Sequence, residues 1–460
     1  SLTAKSEKYC AVFIEPTTKT DKGVFNAILV TSANLSTDGA FGAIQGNDSA
    51  DGVNNRFGTS VTITGGRIES KDLAIYQPQY GELIITGGEI IGGTSAIVIR
   101  AGILKISGDA TIVANGKELS CVSNGNGSTT NGVAVAVIRH TTGLALNASI
   151  TGGTLKGLAA LYQANPEQND ASEIENVSLE VENGTFNGQV YSENKSGFIS
   201  GGFFDKLPES ALFAEGFTPV DNDGNGVYEV MEGVVAKIGD VGYTSLQEAI
   251  NAAETGETVT LLSNVSENIT VAQDKQITLD LNGNKIENDG SRHTVTNYGT
   301  LTVTGNGTVD NTANGRSALY NAPDASLTIL SGTFVRSQEA GSLDGKSDGG
   351  NSYYVILNQG EMVIGTADDE AANEEILVYA GTSPEDSANH RRSSLISSGY
   401  FDTATYQEEN AYPTLTIYGG TFYGGNGTVK NDELNTLTIA GGTFHAPDQA
   451  LMNWSKATIT

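Results

Sequence analysis

The chain has 460 residues, and its 54 acidic against 25 basic side chains give a net charge of −29. That balance leaves no basic field for nucleic acid or for anionic membrane faces. No apolar run reaches the roughly 18 residues that a membrane-crossing helix needs, and Cys10 and Cys121 match no metal-binding spacing.

Residues 1–60 are the least regular; 24–34 (VFNAILVTSAN) and 40–46 (AFGAIQG) read as divergent early coils. From 61 onward one short phrase recurs: VTITGGRI at 61–68, LIITGGEI at 83–90, LKISGDATI at 104–112, ASITGGTL at 148–155, LEVENGTF at 179–186 and FISGGFF at 198–204. It returns as LTVTGNGTV at 301–309, LTILSGTF at 327–334, LTIYGGTF at 415–422 and LTIAGGTF at 437–444, the last two 22 residues apart. A self-similar period of about 20 residues marks a solenoid. In L-T-I the apolar residues alternate with Thr, as in a half-buried strand. Gly-Gly then turns the chain, and a Thr-Phe strand follows. A further strand precedes the phrase at 318–321 (ALYN), 355–358 (VILN), 428–431 (TVKN) and 450–453 (ALMN), each ending in an Asn that reads as a left-handed bend. Stacked coils of this kind make parallel sheets around a Leu/Ile/Phe interior, each such side chain contributing about 1.5–3 kcal/mol. The expected fold is all-β, a right-handed parallel β-helix, interrupted by a loop at 115–131 and a polar excursion at 165–176.

At Asp205 the pattern stops. Two alternating stretches flank DNDGNG at 221–226, which predicts a closing β-hairpin over about 207–232. Ser245 and Glu248 have capping-box spacing, and Leu246, Ala249, Ile250 and Ala253 share one helical face. A short helix over about 244–254, ended by Gly256, is placed to plug the open end of a second solenoid whose strands begin at 258. The chain is therefore expected to form two stacked or linked β-helical domains, 1–232 and 233–460, the second with loop expansions at 335–352 and 365–413. Residues 457–460 (ATIT) begin one more copy of the phrase, so the sequence reads as part of something longer. Neither a signal peptide nor a wall-sorting tail is visible.

The segments KIGDVGYTSLQEAINAAETGETVTLLSNV (237–265) and ITLDLNGNKI (277–286) resemble the opening of pectin-lyase-like β-helix modules in secreted or wall-anchored surface proteins of Gram-positive bacteria. GFTPVDNDGNGVYEV (216–230) resembles the segment that closes an upstream module in such proteins. The resemblance implies an extracellular, adhesin-like protein and carries no catalytic assignment.

Pectin-lyase-like enzymes hold calcium or a general acid on outward-facing carboxylates. The outward positions here carry Thr62, Thr64, Thr302, Thr304, Thr328, Thr416 and Thr438, with Tyr418 and Ala440. Glu180 and Glu182 are the exception, and carboxylates on a solvated face are ordinary. Asp221, Asp223, Asn225, Gly226 and Glu232 fit the pattern D-x-[DN]-x-[DN]-G-x5-E. Calcium is thus the one cofactor the sequence raises, set against a plain Asp/Asn/Gly turn without the flanking helices of an EF-hand. His140, His293, His390 and His445 share no ligand spacing.

Eight of the 17 tyrosines fall within 353–423: Tyr353, Tyr354, Tyr379, Tyr400, Tyr406, Tyr412, Tyr418 and Tyr423. Tyrosine offers a flat apolar face with a polar tip, and long loops on a rigid scaffold commonly carry function. Tyr418, Tyr423 and His445 are expected to form an outward aromatic strip, with Tyr353, Tyr354, Arg391 and Arg392 from the expanded loops beside it. The leading expectation is a surface-displayed module that binds a glycan or a partner protein, without nucleic acid and without membrane insertion. A secreted polysaccharide lyase or glycoside hydrolase, and a phage tail or spike component, are the alternatives.

Overall fold

A computed structural model describes residues 2–14, 26–39, 41–46, 59–124, 128–139, 144–313, 315–338, 354–389 and 394–460. The chain divides into two compact units, Ser1–Gly233 and Val234–Thr460.

The first unit is built from parallel strand pairs one repeat apart. Strands Thr59–Ser70, Gly81–Gly92, Leu146–Ala164 and Val177–Ser192 carry the repeated phrase, and between the second and third of these Gly102–Ile106 and Thr111–Ala114 carry its split copy. Their apolar residues stack in columns: Val61 on Leu83 on Leu104 on Ala148 on Leu179, and Ile68 on Ile90 on Ile112 on Leu155 on Phe186. The Gly-Gly turns match the close stacking. Gly66 has φ +87°, and a Cβ there would lie 2.3 Å from the Ala33 carbonyl oxygen in the preceding coil. The stretch 115–131, read as a loop, contains an antiparallel hairpin of Ser120–Ser123 and Ser128–Asn131. Its Cys121 packs with Tyr162 over a satellite cluster of Val98, Val133, Ala136, Ile138 and Ala159, so the alternation there serves an outer layer. The excursion at 165–176 sends Glu167 to Arg100 and Glu173 to Arg139, ion pairs whose arginines are fully buried. Strands Phe217–Val220 and Tyr228–Glu232 form a terminal hairpin, the latter pairing with Phe203–Phe204 of the last coil.

The second unit is a parallel β-solenoid. Among its described residues the strands form sheets of ten, seven and seven, and from Thr258–Leu261 onward each coil adds a parallel strand to the first sheet. Leu301, Leu327, Met362, Leu415 and Leu437 stack in one inner column. Leu279, Val303, Ile329, Ile364, Ile417 and Ile439 form a second, Ile417 fully buried and Ile439 partly so. In the second sheet Phe334, Val378 and Phe422 lead to Phe444, and the last two rings lie parallel at 4.8 Å.

Two sequence expectations need correction. The Asn residues ending the third-sheet strands are not left-handed bends, since the non-glycine residues with positive φ are Gln168, Asn282, Asp324 and Leu434 among those described. They point inward as a hydrogen-bonded ladder: Asn297 Nδ2 donates to Asn321 Oδ1, Asn321 Nδ2 to Asn358 Oδ1 and Asn358 Nδ2 to Ser398 Oγ, each at 2.8 Å. Asn431 continues it to Asn453 at 2.6 Å. An amide has both donor and acceptor, so it can link coils in the dry interior where a Leu could not satisfy the turn carbonyls. The span 365–413 is also not one loop. It holds strands Ile376–Ala380 and Ile396–Ser398 of the second and third sheets, with the short helix Glu370–Asn373 before the first and Pro384–Asn389 between the two. The coil lacks the Gly-Gly phrase, which hid its strands. Most of 335–352 lies outside the described residues.

The helix spans Leu246–Ala252, with Ser245 Oγ accepting the Glu248 N–H at 3.4 Å. Leu246, Ala249 and Ile250 are fully buried in the core of the second unit.

Candidate functional site

The outward positions of the coils carry few free carboxylates in the second unit's first sheet. On the first sheet of the second unit Thr258, Thr278, Thr302, Thr328, Val363, Thr416, Thr438 and Thr458 stand in register, an uncharged β-branched ladder. In two places among the described residues a base sits between neighbouring carboxylates. Lys285 Nζ lies 2.6 Å from Glu287 and 2.8 Å from Asp310, and Asp310 also accepts the Ser337 N–H and hydroxyl. Arg67 likewise joins Glu69 to Glu89. A glycosidase keeps the space between its two carboxyls open for the bond being cleaved; here a cation fills it. Glu180 and Glu182 stand exposed on the strand Val177–Ser192.

The suggested calcium ligands do not converge. Asp221 accepts the Asn225 and Gly226 N–H groups, Asp223 accepts from Asn225, and the Asn225 side chain accepts the Val227 N–H. These carboxylates close their own turn. Glu232 pairs with Phe217 at the opposite end of the hairpin. Among the described residues no group of three His, Cys, Asp or Glu is placed to hold a metal ion.

The tyrosines disperse into separate groups. Tyr423 and His445 are in register on the second sheet and stack at 4.4 Å with an interplanar angle of 7°, and Tyr379 precedes them in the same row. Tyr418 sits at the turn before Gly419, without a ring partner among the described residues. Tyr400, Tyr406 and Tyr412 pack on one another within their own loop. Tyr353, Arg391, Arg392 and His390 lie outside the described residues.

Tyr354 belongs to a different constellation. It comes from the start of the coil that contains Ile356–Asn358, and its hydroxyl lies 3.2 Å from Lys430 Nζ. The same ammonium sits 5.5 Å from the Tyr354 ring centroid, 4.6 Å from Phe401 and 5.3 Å from Trp454. Lys430 Nζ also reaches Asp432 at 3.1 Å, and Asp432 accepts the Ser397 hydroxyl at 2.7 Å. Burial works against the charge on Lys430, but Tyr354 and Asp432 outweigh it and hold its pKa above the ordinary lysine value. The lysine is thus favoured as a cation within cation–π reach of three rings. Phe401 remains 83% exposed and Trp454 55% exposed. Chemically the patch is two exposed aromatic faces around a charge-neutral Lys–Asp centre, which suits stacking against the apolar face of an uncharged ring.

Sequence reasoning singled out Tyr354 but missed Phe401, Lys430 and Trp454. The signal was the terminal residue of each third-sheet strand: Ser398, Asn431 and Asn453 are in register, which brings the residues just after them, Phe401 and Trp454, beside Lys430. Comparison with protein-family models, curated proteins and solved structures finds no match for this chain. The parallel β-solenoid of the second unit rests on its own sheets and registers.

Proposed function

We propose that the chain is an extracellular, surface-displayed module of adhesin-like type, a right-handed parallel β-helix of the pectin-lyase-like kind that binds a neutral glycan. The observation that carries this reading is the exposed Phe401 and Trp454 pair locked by Lys430. Sugar rings present flat C–H faces that stack on such aromatics, and rigid aromatic anchors lose little entropy on binding. The neutral Lys430–Asp432 pair and the overall charge of −29 both favour an uncharged ligand. Many displayed copies would turn weak single-site affinity into firm attachment. The bridged carboxylates favour this reading over a lyase or hydrolase.

The test is titration of neutral and acidic oligosaccharides against the wild type and Phe401→Ala/Trp454→Ala. A neutral oligosaccharide should bind, and the double variant, still folded by circular dichroism, should bind it at least about tenfold more weakly, the loss of one or two stacked rings. Equal binding by the double variant, with loss in Tyr418→Ala/Tyr423→Ala, would move the site to the second sheet.

A further inference from the structure

The first unit carries a second surface of different chemistry. Residues 113–117, 119, 156–158, 187–189 and 205–206 line a groove of about 780 Å³. Three lysines converge there from three places in the chain: Lys117 from the segment after Thr111–Ala114, Lys156 from Leu146–Ala164 and Lys206 from the segment after Phe203–Phe204. All three are exposed, and none has an ion-pair partner among the described residues. The one carboxylate of the lining, Asp205, already accepts the Gly188 N–H at 2.7 Å. In a chain with more than twice as many acids as bases, three unpaired lysines around one groove form a local inversion of charge.

The groove is also apolar. Leu119 is 39% exposed and Leu158 44% exposed, over a floor that includes Gly157 and Gly188. Gly188 is tight against the coil below, since a Cβ there would lie 2.2 Å from the Gly157 carbonyl oxygen. Val113, Lys156 and Asn187 are in register in successive coils, so the groove runs across the strands at about 4.8 Å per step. Asn115, Asn187 and Gln189 add side-chain amides, which both donate to and accept from a peptide backbone.

We propose that this groove docks an extended acidic peptide segment that also carries aliphatic side chains. The lysines select the acids, the two leucines take the aliphatic groups, and the amides hold the backbone. An acidic polysaccharide would meet the lysines equally well. It would find no aromatic ring to stack on, and leucines offer it nothing.

The probe is a fluorescein-labelled peptide of four Glu-Glu-Leu repeats, titrated by anisotropy against the full chain. A Glu-Glu-Ser peptide, a Lys-Lys-Leu peptide and a tetragalacturonate competitor serve as comparisons. The Glu-Glu-Leu peptide should bind, weaken steeply with added salt, and lose about tenfold or more in affinity in Lys117→Ala/Lys156→Ala/Lys206→Ala. Leu119→Ser/Leu158→Ser should weaken Glu-Glu-Leu towards the level of Glu-Glu-Ser. All five positions are exposed, so each variant should keep the wild-type circular dichroism and melting temperature. Failure of the peptide to bind overturns the proposal, as does equal binding by the folded lysine variant. Competition by tetragalacturonate as strong as that by unlabelled Glu-Glu-Leu overturns it in favour of a general polyanion site.

Discussion

The Glu267 carboxylate accepts the Ser245 hydroxyl at 2.9 Å, and it takes the Leu246 and Gln247 N–H groups at 3.0 and 3.1 Å. A residue of the first coil thus closes the N-terminus of the helix, where orphan donors and the positive end of the dipole favour an anion. At the other end Lys275 Nζ donates to the Asn251 and Ala253 carbonyls, both at 2.7 Å. Gln247 also exchanges two hydrogen bonds with the Thr270 backbone. The helix is fastened to the solenoid it covers by polar bonds as well as by Leu246 and Ile250.

Glu267→Ala should destabilise the second unit by about 2–3 kcal/mol, because it strands donors at the helix start. Glu267→Gln keeps an acceptor and should cost less than half as much. Denaturant unfolding gives the stability, and hydrogen exchange at the Leu246 and Gln247 amides reports the local loss. Unchanged protection in Glu267→Ala would remove the anchoring role.

Alternation along Thr414–Ile417 makes neighbouring substitutions differ sharply. Ile417 is fully buried between Ile364 and Ile439, whereas Thr416 lies on the outer ladder. Ile417→Ala should cost about 2–5 kcal/mol and Thr416→Ala within roughly 0.5 kcal/mol. Equilibrium unfolding of the two variants is the check; similar losses would mean that the register is wrong.

The asparagine ladder should be less tolerant than its size suggests. Asn321 Nδ2 donates to Asn358 and to the Glu361 carbonyl at 2.9 Å, while its Oδ1 accepts from Asn297. Asn321→Leu has similar volume but breaks the links to Asn297 and Asn358, which keep bonds to Ser326 and Gly360, and takes the Asn321 donor from the buried Glu361 carbonyl, a loss of about 1–3 kcal/mol. Calorimetry should find this loss larger than that of the milder Leu319→Val on the same strand, and a neutral Asn321→Leu would mean the ladder contributes nothing net.

His293 packs against Tyr320 with tilted rings 5.1 Å apart, and its Nδ1 accepts the Ser317 N–H at 3.0 Å. Burial, with repulsion from Arg316, pushes its pKa down to about 4. The folded form therefore keeps it neutral, and the unfolded chain, titrating near about 6.5, takes up the proton first. Its contribution is complete above about pH 6.5 and is lost as pH falls from there through about 4. Partial exposure limits this to about 1 kcal/mol. His293→Gln should shrink the fall in Tm between pH 7 and pH 4.5 by roughly 2–4 °C; an identical fall in both proteins would rule the histidine out.

What the sequence displayed plainly was whatever depends on near neighbours. The alternation in LTIYGGTF, the helix start capped by Ser245 on the Glu248 N–H and the turn at 221–226 are local, and each is present in the structure. Contacts between coils were harder to read. Tyr354, Phe401 and Trp454 converge on Lys430 from three coils, and the coil lengths between them are irregular. The strand Ile376–Ala380 went unseen because its turns use short helices where other coils use Gly-Gly. The role of the ladder asparagines was misread for the same reason, since their partners lie one coil away.

The ladder has a consequence for what this molecule can display. The Asn431–Asn453 bond spans 22 residues, Asn297–Asn321 spans 24, Asn321–Asn358 spans 37 and Asn358–Ser398 spans 40. The distance from one coil to the next stays the same while the length of chain between them nearly doubles. Closing the longer excursion adds only about 0.5 kcal/mol of chain entropy. Spacing and decoration are therefore set by separate parts of the sequence. Selection can lengthen, shorten or exchange what projects from any one coil, and its neighbours keep their places.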